Sequence, residues 1–210
     1  MDAMHPNPIL RNTEAATALT FARERGFGTL CVNGPTGPLL AHIPFLLSDD
    51  GAAADLHLVR SNPIARVPAG PAVLVAQGSD GYVSPDWYGI PDQVPTWNYI
   101  SVQLRGRLEQ RPDSDLRDLI DRQSAHFEEQ LLPKVPWTSA KMTPDVHRRM
   151  MRQILPFRFL VEEMHSTFKL NQNKPDAARQ AAATQMAKSD IGLAPKKLAR
   201  HMAALPPTEP

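Results

Sequence analysis

Between residues 97 and 108 the sequence alternates with a period of two: Asn98, Ile100, Val102, Leu104 and Leu108 fall on one face, and Trp97, Tyr99, Ser101, Gln103, Arg105 and Arg107 on the other. Successive side chains of an extended chain point to opposite sides, so this stretch is predicted to be a strand with one face in a core. A strand this long is stable only beside others. The residues before it supply them. Shorter strands are predicted over 27–32, 39–47, 55–60 and 72–77, the last ended by Gly78. They are punctuated by Asn33-Gly34-Pro35-Thr36-Gly37 and Ser48-Asp49-Asp50-Gly51, turn chemistry that marks a meander. A further alternating run over 157–161 can close the sheet into a barrel.

Helical spacing appears around this sheet. Thr13 or Asn12 caps a helix to about residue 25, with Ala15, Ala18, Leu19 and Ala22 on its stripe and Gly26 as its stop. Asp113 or Ser114 caps a second to about residue 132, whose stripe is Leu116, Leu119, Ile120, Gln123, Phe127 and Leu131. A shorter helix is predicted over 144–154. Residues 79–95 read as an ordered loop packed by Tyr82, Trp87 and Tyr88. The expectation is a mostly β chain with flanking helices (α+β), of five or six strands and three helices. Residues 1–175 form its body. The Ala-rich stretch 177–188 is helical but too poor in large apolar residues to stand alone, and the residues from Lys196 onward read as a mobile tail.

Composition narrows the function. No apolar run approaches the roughly 20 residues a membrane helix needs, and Met1 to Pro8 has neither a basic leader nor an apolar stretch, so a cytoplasmic protein is expected. Cys31 is the sole cysteine, which excludes an internal disulfide and a cysteine-based zinc site. Seven dispersed histidines form no short ligand pair. The net charge of +1 is not that of a general nucleic-acid binder. P-loop, Rossmann and Gly-x-Ser-x-Gly signatures are missing too.

Side-chain donors for a phosphate remain. In His57-Leu58-Val59-Arg60-Ser61-Asn62-Pro63, a guanidinium fork, a hydroxyl and an amide gather where a strand turns. The plain alternative is that Asn62-Pro63 ends a strand and Arg60 is a solvated charge. Tyr82-Val83-Ser84-Pro85-Asp86-Trp87-Tyr88 and Val94-Pro95-Thr96-Trp97-Asn98-Tyr99 bring five of the six Trp and Tyr residues into eighteen positions. They can wall a planar ligand, seal an interface or form a satellite core. Lys169-Leu170-Asn171-Gln172-Asn173-Lys174-Pro175, after the last strand, is a polar loop or a third donor set.

In this order, the four segments resemble the PaiB-like FMN-binding negative transcriptional regulators, over roughly residues 29–175. The resemblance implies a split β-barrel of the flavin-reductase and pyridoxamine-phosphate-oxidase type, a homodimer with FMN between the subunits. It implies that His57, Arg60, Ser61 and Asn62 hold the phosphate and ribityl chain. Thr96, Trp97 and Asn98 would approach from the following strand, and Lys169, Gln172 and Asn173 would close the site, with the partner subunit as one source. This chain departs from the family's pattern at Asn171, an amide for a hydroxyl, and at Lys174, a point charge for a fork. Three functions follow: a flavin-binding protein, a DNA-binding regulator, and a flavin-dependent oxidoreductase of a small substrate. For the last, His42 and His57 are the candidate proton donors, though an ordinary strand histidine explains each, and no catalytic residue is assigned.

Overall fold

The computed structural model describes residues 5–206. Six strands, β1 (Phe27–Gly34), β2 (Gly37–Leu47), β3 (Ala53–Val59), β4 (Gly70–Val83), β5 (Thr96–Gln110) and β6 (Ile154–Lys169), hydrogen-bond into a closed barrel in the order β1-β2-β3-β6-β5-β4. Closure pairs both sides of every strand, which removes the exposed edges an open sheet carries. The helices are α1 (Ala15–Arg25), α2 (Leu116–Glu129), α3 (Pro144–Met151), α4 (Asp176–Met186) and α5 (Pro195–Ala203).

The described chain forms two compact units. One comprises residues 22–76 and 103–164. Its core is the inward face of alternating strands: Leu30, Phe45, Leu56, Leu74, Leu104 and Phe159 are all buried. The β1–β2 hairpin sets Gly34 opposite Gly37 around Pro35 and Thr36, and β3 runs antiparallel to β6 with Leu56 opposite Phe157. At Gly106 the β5 backbone lies so close to β6 that an added Cβ would sit 1.8 Å from the Leu160 carbonyl oxygen. α2 turns Leu116, Leu119 and Gln123 of the expected stripe inward, but it ends at Glu129, and Leu131, expected on the stripe, lies beyond it and is exposed.

The other unit comprises residues 5–21, 77–102 and 165–206. Here β4 does not end at Gly78 but continues to Val83. Gly78 serves close approach rather than termination, since a Cβ there would meet the Phe21 ring at 2.8 Å and the Ile100 side chain at 2.9 Å. The buried positions of β4 are even up to Ala76 and odd from Ser79, a one-residue change of phase that hides the second half from an alternation rule. The loop expected over 79–95 is therefore strand as far as Val83, followed by a 3₁₀ turn at Pro85–Tyr88. β6 likewise runs on to Lys169, well past residue 161, through the polar stretch Glu162 to Ser166.

The segment expected as a mobile tail contains α5, with Leu198, Ala199 and Met202 buried. Arg179 of α4 is 1% exposed and explains why it is fixed. Its guanidinium donates to the carbonyls of Met202 (2.7 Å), Leu205 (3.0 Å) and Pro206 (3.2 Å) and to the Asp176 carboxylate (2.8 Å). The Met202 carbonyl is one that a helix end leaves without a partner, and the other two belong to the segment just after it. Ahead of α5, the Asp80 and Tyr82 amides donate to Leu193 and Ile191 at 3.0 and 3.2 Å, so the connector pairs with β4.

Candidate functional site

The turn after β3 brings Arg60, Ser61 and Asn62 together. Asn62 N–H donates to Val59 O at 2.8 Å, and its side-chain Oδ1 accepts from Ile64 N–H at 2.9 Å, capping the Pro63–Arg66 3₁₀ turn. Arg60 Nε donates to Arg152 O at 2.7 Å, and one Nη donates to Asp113 at 2.8 Å. The Arg60 and Asp113 side chains are 45% and 63% exposed. An ion pair this open is worth about 0–1 kcal/mol, whereas a hydrogen bond to a charged ligand is worth about 1.5–3 kcal/mol. A phosphate can therefore take Arg60 from Asp113. Asp113 is a residue that sequence reasoning missed in this role, because it reads as a helix cap. Ser61 is exposed. A cavity of about 400 Å³ lies beside the turn, bounded by Ile64, Val67, Pro68, Gly70, Leu108 and Phe157 among others.

His57 is not part of this gathering. It lies on the face of β3 opposite Leu56 and Leu58, beside Gln123 of α2, and burial pushes its pKa down with partial relief from that amide. The two side chains meet outside good hydrogen-bond geometry, and His57 Nδ1 and Gln123 Nε2 have no hydrogen-bond partner among the described residues. His42 is exposed and contacts Thr29 Oγ1 across β1 and β2 at 3.1 Å.

The second set sits where β5 begins and β6 ends. Lys169 Nζ donates to Thr96 Oγ1, and burial alone pushes its pKa down. No carboxylate pairs with it among the described residues. A half-buried cation whose partner is a neutral hydroxyl is short of an anion. Trp97 is 47% exposed and meets Tyr82 edge-on, with ring centroids 6.3 Å apart. Asn98 is wholly buried, its Nδ2 3.6 Å from Met202 Sδ of α5 and its Oδ1 without a partner among the described residues.

Gln172 folds back on its own turn, accepting from Leu170 N–H at 2.8 Å and donating to the carbonyls of Phe168 and Ile9. Asn173 is exposed. Asn171 is built into the fold: its φ of 65° is a left-handed conformation that Asn tolerates, and its Oδ1 accepts from the Tyr88 hydroxyl at 3.0 Å. The amide at this position thus locks the loop to the Pro85–Tyr88 turn. Lys174 Nζ lies 5.2 Å from the Tyr88 ring centroid.

Each donor set, taken by itself, has groups that a phosphorylated or anionic ligand can use. One offers an exchangeable guanidinium with a hydroxyl and an amide, and the other a cation bonded to the neutral hydroxyl of Thr96, next to which in sequence stands the exposed Trp97. Among the described residues no three His, Cys, Asp or Glu side chains gather as metal ligands, and no helix is long and apolar enough to cross a membrane.

Comparison with known proteins points the same way. Residues 4–163 match a family described as "Putative FMN-binding domain". The chain is 30% identical over 166 residues to protease synthase and sporulation protein PAI 2 of Bacillus subtilis (strain 168), covering 77% of this chain and 79% of that protein. Among solved structures it is similar to the FAD and heme binding protein of Mycobacterium smegmatis, with a TM-score of 0.56, 16% identity and 76% and 73% of the two chains covered. The flavocytochrome Anf3 of Azotobacter vinelandii gives 0.58, 14%, 79% and 72%. At these identities the shared property is the barrel fold. Lys169, α4 and α5 lie beyond the segment that the family covers.

Proposed function

We propose that this chain, which belongs to the FMN-binding domain family, holds its FMN between two copies of itself. The phosphate rests between the Arg60-Ser61-Asn62 turn of one copy and Lys169 of the second, whose Thr96 and Trp97 face the ring and its side chain. The observation that carries this reading is Lys169, a half-buried ammonium whose partner is the neutral Thr96 hydroxyl. An anionic ligand offsets the desolvation of that cation, which a second neutral donor does not.

In this arrangement Arg60 exchanges Asp113 for phosphate oxygens and Ser61 adds a neutral donor. The Asn62 side chain spends its oxygen on the Ile64 amide and keeps its Nδ2 for the ligand. Trp97, held edge-on by Tyr82, excludes water from one side of a planar ring. Gln172 keeps the Lys169 loop in shape, and Asn173 is exposed to a partner surface. His57 steadies the end of β3. FMN, when bound, supplies one- or two-electron redox chemistry. Sedimentation of the chain with added FMN, followed at the flavin absorbance, tests the arrangement. The expected result is a dimer carrying two flavins. Flavin travelling with a monomer removes the two-copy reading, and protein free of flavin removes the cofactor reading.

A second reading, direct DNA binding by a regulator, is favoured by one feature: Lys196, Lys197 and Arg200 of α5 are all exposed. A promoter-fragment titration at several salt concentrations tests it, since phosphate contacts by these cations give a steep salt dependence. Weak binding indifferent to sequence removes it.

A further inference from the structure

Asn98 is poorly served in the closed structure. It is wholly buried, its amide nitrogen points at a thioether, and its carbonyl oxygen has no partner among the described residues. Thioether sulfur is a weak acceptor, and a buried amide oxygen without a donor is unfavourable. What covers Asn98 is Met202 of α5. That helix is held firmly elsewhere, by Arg179 gripping the carbonyls of Met202, Leu205 and Pro206 and by the pairing of Ile191 and Leu193 with Asp80 and Tyr82. A well-latched helix therefore sits over an ill-matched polar group. Ala194, at φ 54°, and Gly192, at φ 127°, lie immediately before it and give the chain its sharp change of direction into α5.

An asparagine amide presents a donor and an acceptor side by side. Its complement is a planar edge offering a carbonyl next to an N–H, the imide edge of a pyrimidine-type ring. We propose that α5 is a lid over Asn98, latched by Arg179, and that a ligand with an imide edge displaces Met202 and takes both hydrogen bonds of the amide. This rests on the flavin reading, and it makes Asn98 the residue that recognises the pyrimidine end of the ring. Towards Asn98 Met202 gives up only a weak contact when it leaves, and the cost of uncovering its buried side chain is what keeps the lid closed without ligand. The latch sets how often Asn98 is uncovered, so ligand affinity is reduced by the fraction of molecules that are closed.

The test uses the full chain and FMN, with hydrogen exchange of the α5 amides and stopped-flow flavin fluorescence read together. The lid predicts that FMN lowers the protection of residues 195–203. It also predicts that the binding rate levels off with FMN concentration, because opening comes first. Arg179→Met raises that limiting rate by about tenfold or more. Should this variant fail to fold, Met202→Ala, which removes the cover but leaves the latch, is expected to raise it as well. FMN binding with α5 equally or better protected, at a rate that rises linearly with concentration, overturns the lid and leaves the flavin reading standing. No FMN binding by the wild type or by either variant overturns both.

Discussion

Lys169 at the end of β6 gives its hydrogen bond to the Thr96 hydroxyl at the start of β5, although burial disfavours its charge and no carboxylate among the described residues compensates it. A lysine in that setting contributes little to stability, and under the proposed function it serves the ligand. Lys169→Met is expected to weaken FMN binding by about 1.5–3 kcal/mol while leaving the thermal midpoint unchanged or raised. Calorimetric titration and a thermal melt of the same sample check both halves. An unchanged affinity removes Lys169 from the site.

The Arg60–Asp113 pair is expected to compete with the ligand. Asp113→Asn releases the guanidinium and strengthens FMN binding by up to about 1 kcal/mol, the worth of an exposed ion pair. Arg60→Ala weakens it by about 1.5–3 kcal/mol. If both substitutions leave the flavin titration as it was, the phosphate lies elsewhere.

His57 makes stability depend on pH. Burial holds its pKa below the ordinary histidine value, so the unfolded chain takes up this proton more readily than the folded one as pH falls. The contribution is complete above the unfolded pKa and is lost as pH drops below it, from about pH 6.5 downward. His57→Gln is expected to flatten that part of a plot of thermal midpoint against pH. An unaltered slope would assign the acid sensitivity to another group.

Gly106→Ala is expected to be severely destabilising, by more than about 3 kcal/mol, because the new methyl group meets the Leu160 carbonyl oxygen at 1.8 Å and neither backbone can give way. At Gly89 an added Cβ meets nothing within 4 Å, and only its φ of 64° opposes a side chain. Gly89→Ala should therefore cost about 1 kcal/mol. Urea denaturation of the two variants separates a clash from a backbone preference.

What could be read from the sequence was the part governed by a simple period. The alternation from Trp97 to Leu108 set the faces of β5 as they are, and turn residues located the β1–β2–β3 meander. The second half of β4 was missed because the buried positions change phase beside Gly78, where glycine permits contact with Phe21 and Ile100 rather than ending the strand. The second half of β6 carries Glu162, Glu163 and His165, which break the apolar alternation. α5 carries a legible stripe in Pro195, Leu198, Ala199 and Met202, which its basic residues and the prolines after it masked as a tail; what the sequence does not show is that the distant Arg179 fixes its end. At the candidate site, the Arg60-Ser61-Asn62 gathering was legible as one turn. The Arg60–Asp113 pair, the Thr96–Lys169 contact and the Met202 cover of Asn98 join residues far apart in sequence.

The most direct measurement is a fluorescence titration of the purified chain with FMN and, separately, with riboflavin, which lacks the phosphate. If the Arg60 turn and Lys169 together hold a phosphorylated flavin, FMN saturates at one per chain and binds at least about tenfold tighter than riboflavin, a difference of 1.4 kcal/mol. Equal affinity for the two ligands, or no saturable quenching by either, contradicts it.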